Sequence, residues 1–183
     1  MKYQLTFFLL LVTLFVKGQK IELIESFIGY TNKSEIISFT PNPKLIISGD
    51  YEGGLNLWDL EKQKLLKTIH AHIKPINNIT FHPKKNIFLT CSQDSTIKLW
   101  SLHSNRLIDS LKINDIPTLA IFNEKRNTYF ICTEKGQILE KNTKRRKATE
   151  IINIETVIQD AIFSFDKQHI ITCDKESIKK ISL

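Results

Sequence analysis

Short apolar runs separated by turn residues, rather than helical stripes, fill the chain after its first thirty residues. The stretch 76–111 shows the pattern most clearly. Residues 76–81 read as a strand, ended by His82-Pro83-Lys84-Lys85 because proline cannot donate to a sheet ladder. Residues 87–91 form an unbroken apolar run of strand length, as expected where both faces of a sheet are covered. Gln93-Asp94-Ser95 supplies a tight turn, residues 96–100 alternate like a third strand, and residues 106–111 can form a fourth, outermost one.

The same pattern recurs along the chain. Phe39, Phe81, Phe122 and Phe163 stand 42, 41 and 41 residues apart, and Gly49, Cys91, Cys132 and Cys173 repeat the same steps. A period in the forties built from strands predicts an all-β chain, a β-propeller of four-stranded antiparallel blades with one blade per repeat. Four repeats predict about four blades, a small or partial ring.

The residues that carry this pattern resemble the WD-repeat propeller family. Phe81-His82-Pro83 and Cys91-Ser92-Gln93-Asp94-Ser95-Thr96-Ile97-Lys98-Leu99-Trp100-Ser101 follow its motif closely. The first copy, with Phe39-Thr40-Pro41 and Ser48 through to Trp58-Asp59, follows nearly as well. The third and fourth copies carry Lys141 and Ile181 in place of the tryptophan. The resemblance implies a buried hydrogen-bonded chain in blade two made by His72, Thr90 or Ser92, Asp94 and Trp100. Blade one has Tyr30 and Glu52 at the corresponding histidine and aspartate positions, and blades three and four retain little of the chain, so those two are expected to rest on apolar packing alone.

The repeats span approximately residues 30–70, 72–112, 113–153 and 154–183. Residues 21–28 look like the outer strand of a blade whose inner strands stand at the other end of the chain, so they are expected to close the last blade and remove free sheet edges. Three arrangements follow: four blades closed on themselves, a homodimer completing a larger ring, or a shortened remnant of a longer propeller.

The first residues belong to another kind of sequence. Lys2 precedes twelve uncharged residues from Leu5 to Val16, and Lys17-Gly18-Gln19 follows. This is the outline of a signal peptide over residues 1–18, too short for a span of about 20 apolar residues. Removal leaves residues 19–183 as an exported propeller domain, periplasmic or extracellular, without a membrane span; if the leader is unused, the chain is cytoplasmic. The net charge of +7 falls to +5 when Lys2 and Lys17 are lost. Five of the seven residues 141–147 are basic, but no aromatic residues are interleaved for base stacking, so the run reads as a solvated loop and nucleic acid is not expected as a partner. Three cysteines at one repeat position of neighbouring blades are expected to be buried free thiols rather than a disulfide and a spare.

No catalytic constellation stands out. His70-Ala71-His72 offers two imidazoles with no further close ligand, so no metal or other cofactor is expected. His82, in a turn, is expected to be solvent-exposed. By the resemblance, a protein or peptide partner would be contacted by the residue before the turn acid and by the loops entering the first strands: Tyr51, Gln93, Lys33 and Lys74, with Glu134 and Lys175 in the weaker copies. The reading is thus a non-enzymatic, exported binding scaffold. Its alternatives are an envelope enzyme or a glycan or small-molecule receptor using the central mouth, and a degenerate fragment without independent activity.

Overall fold

The computed structural model describes residues 34–124, 127–143, 147–164 and 166–183, and their regular structure is entirely β. Blade one comprises β1 (Ser34–Phe39), β2 (Leu45–Asp50), β3 (Gly54–Asp59) and β4 (Lys64–His70). Blade two comprises β5 (Ile76–Phe81), β6 (Ile87–Ser92), β7 (Thr96–Ser101) and β8 (Leu107–Lys112). In blade three, β9 (Pro117–Asn123), β10 (Thr128–Thr133), β11 (Gln137–Asn142) and β12 (Thr149–Asn153) follow in the same order. Blade four has β13 (Asp160–Phe163), β14 (His169–Cys173) and β15 (Ile178–Ser182) among the described residues. Each strand pairs antiparallel with the next one in its blade, which gives the up-and-down sheets of a small propeller.

Burial explains the apolar runs. The second strands β2, β6 and β10 are buried almost throughout, because neighbouring strands take their edges and neighbouring blades their faces. The outer strand β12 is exposed along its length, so apolar content alone could not have marked it as core. Each of the first three blades also carries a register shift near the start of its first strand, one residue being left over at Glu35, Asn77 and Thr118. The spacing of these bulges repeats the period of the sequence, and such bulges increase the local twist of a strand.

Three apolar clusters join successive blades. Ile47 and Leu55 of blade one meet Ile79, Phe88 and Trp100 of blade two. Leu89, Cys91, Ile97 and Leu99 on the other face of blade two meet Ala120, Phe122, Tyr129 and Ile131 of blade three. Leu119, Phe130, Cys132 and Ile138 then meet Ala161, Ile170 and Ile181 of blade four. The repeated small position is explained at the first junction, where a Cβ on Gly49 would lie 2.8 Å from Ile76 Cβ and 2.9 Å from Ile36 Cγ2. A cysteine fits at the next two junctions and not here.

Several expectations are corrected. His82 is buried, not exposed: its ring lies against Phe122 of the next blade, 4.9 Å between centroids, and its Nδ1 accepts the backbone N–H groups of Lys84 and Lys85. All three cysteines are free, but only Cys91 and Cys132 are buried; Cys173 is half-buried, on the face of blade four opposite blade three. Blades three and four do not rest on apolar packing alone. Blade three buries Lys141 in an ion pair with Asp109 of blade two, and blade four holds Asp174 against Lys179, Thr156 and Ser177. The leader over residues 1–18, the closing strand 21–28 and Tyr30 lie outside the described residues.

Candidate partner-binding rim

The turns that join second to third strands lie at the same end of each blade as the loops entering the first strands, because these strands run antiparallel. Blade two shows how that end is fixed. Trp100 Nε1–H donates to Thr90 Oγ1 at 2.9 Å, Thr90 lies 2.7 Å from His72 Nε2, and His72 Nδ1 lies 3.0 Å from Asp94 Oδ2. One assignment satisfies every group: indole to hydroxyl, hydroxyl to Nε2, and Nδ1–H to carboxylate, with a neutral imidazole. Burial drives the His72 pKa down to about 4, although the charge of Asp94 pulls the other way. Burial would raise the Asp94 pKa, but the Thr96 hydroxyl and His72 outweigh it and hold the acid below its ordinary value.

This buried chain fixes backbone at the rim. Asp94 accepts the N–H of Thr96 at 2.9 Å and that of Ile73 at 3.3 Å, so one carboxylate holds both the turn and the entering loop. Ser92 stands outside the His72–Trp100 chain; its hydroxyl donates to the Lys74 carbonyl at 3.0 Å and accepts the Asp94 N–H. Gln93 N–H donates to the Pro75 carbonyl. With the backbone held on both sides, the side chains of Ile73, Lys74 and Gln93 are left in solvent, and Ile73 is 86% exposed.

The turn of blade one meets the same loop. Gly53, at φ +84°, accepts the His72 N–H at 2.9 Å, and a Cβ there would stand 2.3 Å from the His72 carbonyl oxygen. Tyr51, two residues earlier on the same turn, is 46% exposed. Asp50 organises this turn. It is fully buried and accepts the N–H groups of Glu52 and Gly54 and the Asn56 amide, whereas Glu52 is exposed. The indole of Trp58 donates to Ser48 Oγ at 2.9 Å, the counterpart of the Trp100–Thr90 bond.

The weaker copies use other polar pins. Asp115 is buried beneath the corresponding turn of blade three and accepts the Lys135 and Ile116 N–H groups; burial would raise its pKa, but the Thr133 hydroxyl and these amides keep it low. Gly136, at φ +82°, accepts the Ile154 N–H as Gly53 does for His72. Glu134 is exposed on this turn, and Lys175 is exposed on the turn of blade four. Lys175 lines a hollow of about 240 Å³ with Thr156, Val157, Asp174 and Glu176. The Lys179 ammonium is the main reason the Asp174 carboxyl lies well below the usual range. Lys33 lies outside the described residues.

The structure thus brings the Gln93 turn and the Lys74 loop together and leaves Tyr51 exposed on the turn of blade one, while Glu134 and Lys175 occupy matching positions on other blades. Ile73 and Val157, both exposed apolar residues of entering loops, carry no sequence signal, since an isoleucine next to a strand reads as part of it. His72 uses both ring nitrogens on protein partners, and no cluster of three metal-ligating side chains occurs among the described residues.

Comparison with known proteins agrees with this geometry. The family model described as "WD domain, G-beta repeat" matches residues 22–59 and 63–101, the copies that contain both tryptophans. No curated protein sequence matches the chain. Among solved structures, the crystal structure of the computationally designed Ika4 protein is similar over 90% of this chain and 99% of that one, with a TM-score of 0.73 at 17% identity, which is a likeness of fold. Two repeats of this chain thus match the WD-domain model, and its sheets have the fold of a small β-propeller.

Proposed function

We propose that this chain is an exported, non-enzymatic scaffold that binds a protein or peptide on the rim formed by Tyr51, Ile73, Lys74 and Gln93. WD-repeat propellers serve as protein-binding platforms, which gives the class of partner. The observation that carries the reading is Ile73: an apolar side chain almost wholly in water, on a loop whose backbone is fixed from beneath by Asp94. A loop ordered before binding loses little freedom on binding, and tyrosine, exposed on the turn of blade one, is a residue type enriched in interfaces.

Export rests on the sequence of residues 1–18, and the buried thiols are compatible with it. Burial pushes the Cys132 thiol up to about 12 and the Cys91 thiol higher still, so neither is poised to form a disulfide in an oxidising compartment. N-terminal sequencing of the secreted product should begin at Gln19; product retained inside the cell with Met1 intact would place the chain in the cytoplasm.

The binding test is a displayed peptide library selected against the immobilised chain. Enriched peptides should lose at least about tenfold in affinity, some 1.4 kcal/mol, on Tyr51→Ala, Ile73→Ser or Gln93→Ala with the circular dichroism spectrum unchanged. Peptides that bind all three variants as tightly as the parent would remove this rim from consideration.

A further inference from the structure

The two ends of the blade series expose the two halves of one interface. Position 37 is isoleucine in blade one and recurs as Ile79, Ala120 and Ala161, each buried against the preceding blade. Ile37 itself is 64% exposed, and Phe39 on the same face is exposed too. At the other end, Ile178 is the counterpart of Leu55, Ile97 and Ile138, each buried against the following blade, yet it is 78% exposed. Beside it, Ile162, Ile171 and Cys173 line a hollow of about 180 Å³. Ile171 and Cys173 are the counterparts of Leu89 and Cys91, which receive Ala120 and Phe122 at the junction of blades two and three.

These faces are therefore complementary by descent of the repeat: blade four offers the surface that receives a blade, and blade one offers the surface that is received. We infer that a second copy of this chain occupies them, blade four of each copy packing on blade one of the other. The junction continues one that the chain already forms three times. Two such contacts related by a two-fold axis satisfy both ends at once, and eight blades lie within the usual range of about 4–8. The inference concerns the end faces and does not depend on the peptide-binding rim.

Light scattering on a sizing column tests it with the full chain, 21.2 kDa per copy before any processing. The expected species has two chain masses. Ile37→Lys and Ile178→Lys, each at a position exposed within one chain, should each yield one chain mass with the β-sheet circular dichroism retained. An equimolar mixture of the two variants should regain two chain masses, because one copy keeps a sound blade-four face and the other a sound blade-one face. A folded parent of one chain mass would overturn the inference and leave residues 1–33 of the same chain as the cover. So would a dimer insensitive to both substitutions, or variants that stay single when mixed.

Discussion

Lys141 Nζ of blade three lies 3.0 Å from Asp109 Oδ2 of blade two, and Lys141 stands at the sheet position that Trp100 fills in blade two and Trp58 in blade one. The indole ends a hydrogen-bonded chain; the ammonium instead crosses to β8, the outer strand of blade two, and also donates to the Asn142 carbonyl. The lysine side chain is almost completely buried, so the pair matters through what its loss would expose. Removing one member of a buried pair strands the other, whereas replacing the charge with an apolar side chain of similar length does not. Asp109→Ala should therefore destabilise the protein by about 1–3 kcal/mol, and Lys141→Met should be neutral or stabilising. Urea denaturation of the two variants checks this, and equal losses in both would show that the pair itself helps hold blades two and three together.

The neutral state required of His72 makes stability depend on pH. Its folded pKa of about 4 lies below the unfolded value near 6.5, so between these limits the unfolded chain binds more protons. Stability then falls as pH falls from 6.5 to 4, with a contribution on the order of 3 kcal/mol from this residue. Asp94, also held below its ordinary value, adds a loss of the same sign at lower pH. Urea midpoints measured across this window should fall less steeply for His72→Gln than for the parent. Parallel slopes would mean that the histidine is not the titrating group.

Blade two could be read almost strand by strand because each feature was local: alternation in β7, an apolar run in β6, proline after β5. The features that were missed depend on partners from other strands or blades. Lysine in a strand reads as solvent-facing until the packing of blade two on blade three places Asp109, 32 residues away, within reach. His82 in a turn reads as exposed until Phe122 of the next blade covers it. Asp50 lies two residues before the acid position that the repeat pattern singles out, so Glu52 drew attention although Asp50 is the buried one. At the rim, exposed polar residues followed from turn chemistry, but the exposure of Ile73 follows only from the bonds that hold its backbone.

Gly53 couples the turn of blade one to the loop of blade two, and its conformation leaves no room for a side chain. At φ +84°, an alanine Cβ would lie 2.3 Å from the His72 carbonyl oxygen and 2.9 Å from that of Lys74, both backbone atoms, and the Lys74 carbonyl is held by the Ser92 hydroxyl. Gly53→Ala should cost at least about 2 kcal/mol, from left-handed strain of about 1–2 kcal/mol plus the displaced loop. Ser95, at the corresponding turn of blade two, already adopts φ 65° with a side chain present. Ser95→Gly should therefore be neutral or raise stability by up to about 1 kcal/mol. Thermal melts of both variants should move in opposite directions or leave Ser95→Gly unmoved; a mild Gly53→Ala would mean that the rim loop yields easily.

The three thiols should separate by reactivity, because they share a repeat position but not an environment. Cys91 and Cys132 are sealed between blades, and burial lifts both thiols far above the range where thiolate forms at neutral pH. Cys173 stands on the free face of blade four, beside the exposed Ile178. In the native Ile37→Lys variant, a soluble disulfide reagent should modify one thiol per chain promptly, and Cys173→Ser should abolish that phase. The other two should react only at the rate of unfolding, so adding urea should bring them in together. Prompt modification of a second thiol in the native protein would show that one of the two inner junctions opens on its own, and that the blades do not behave as one packed unit.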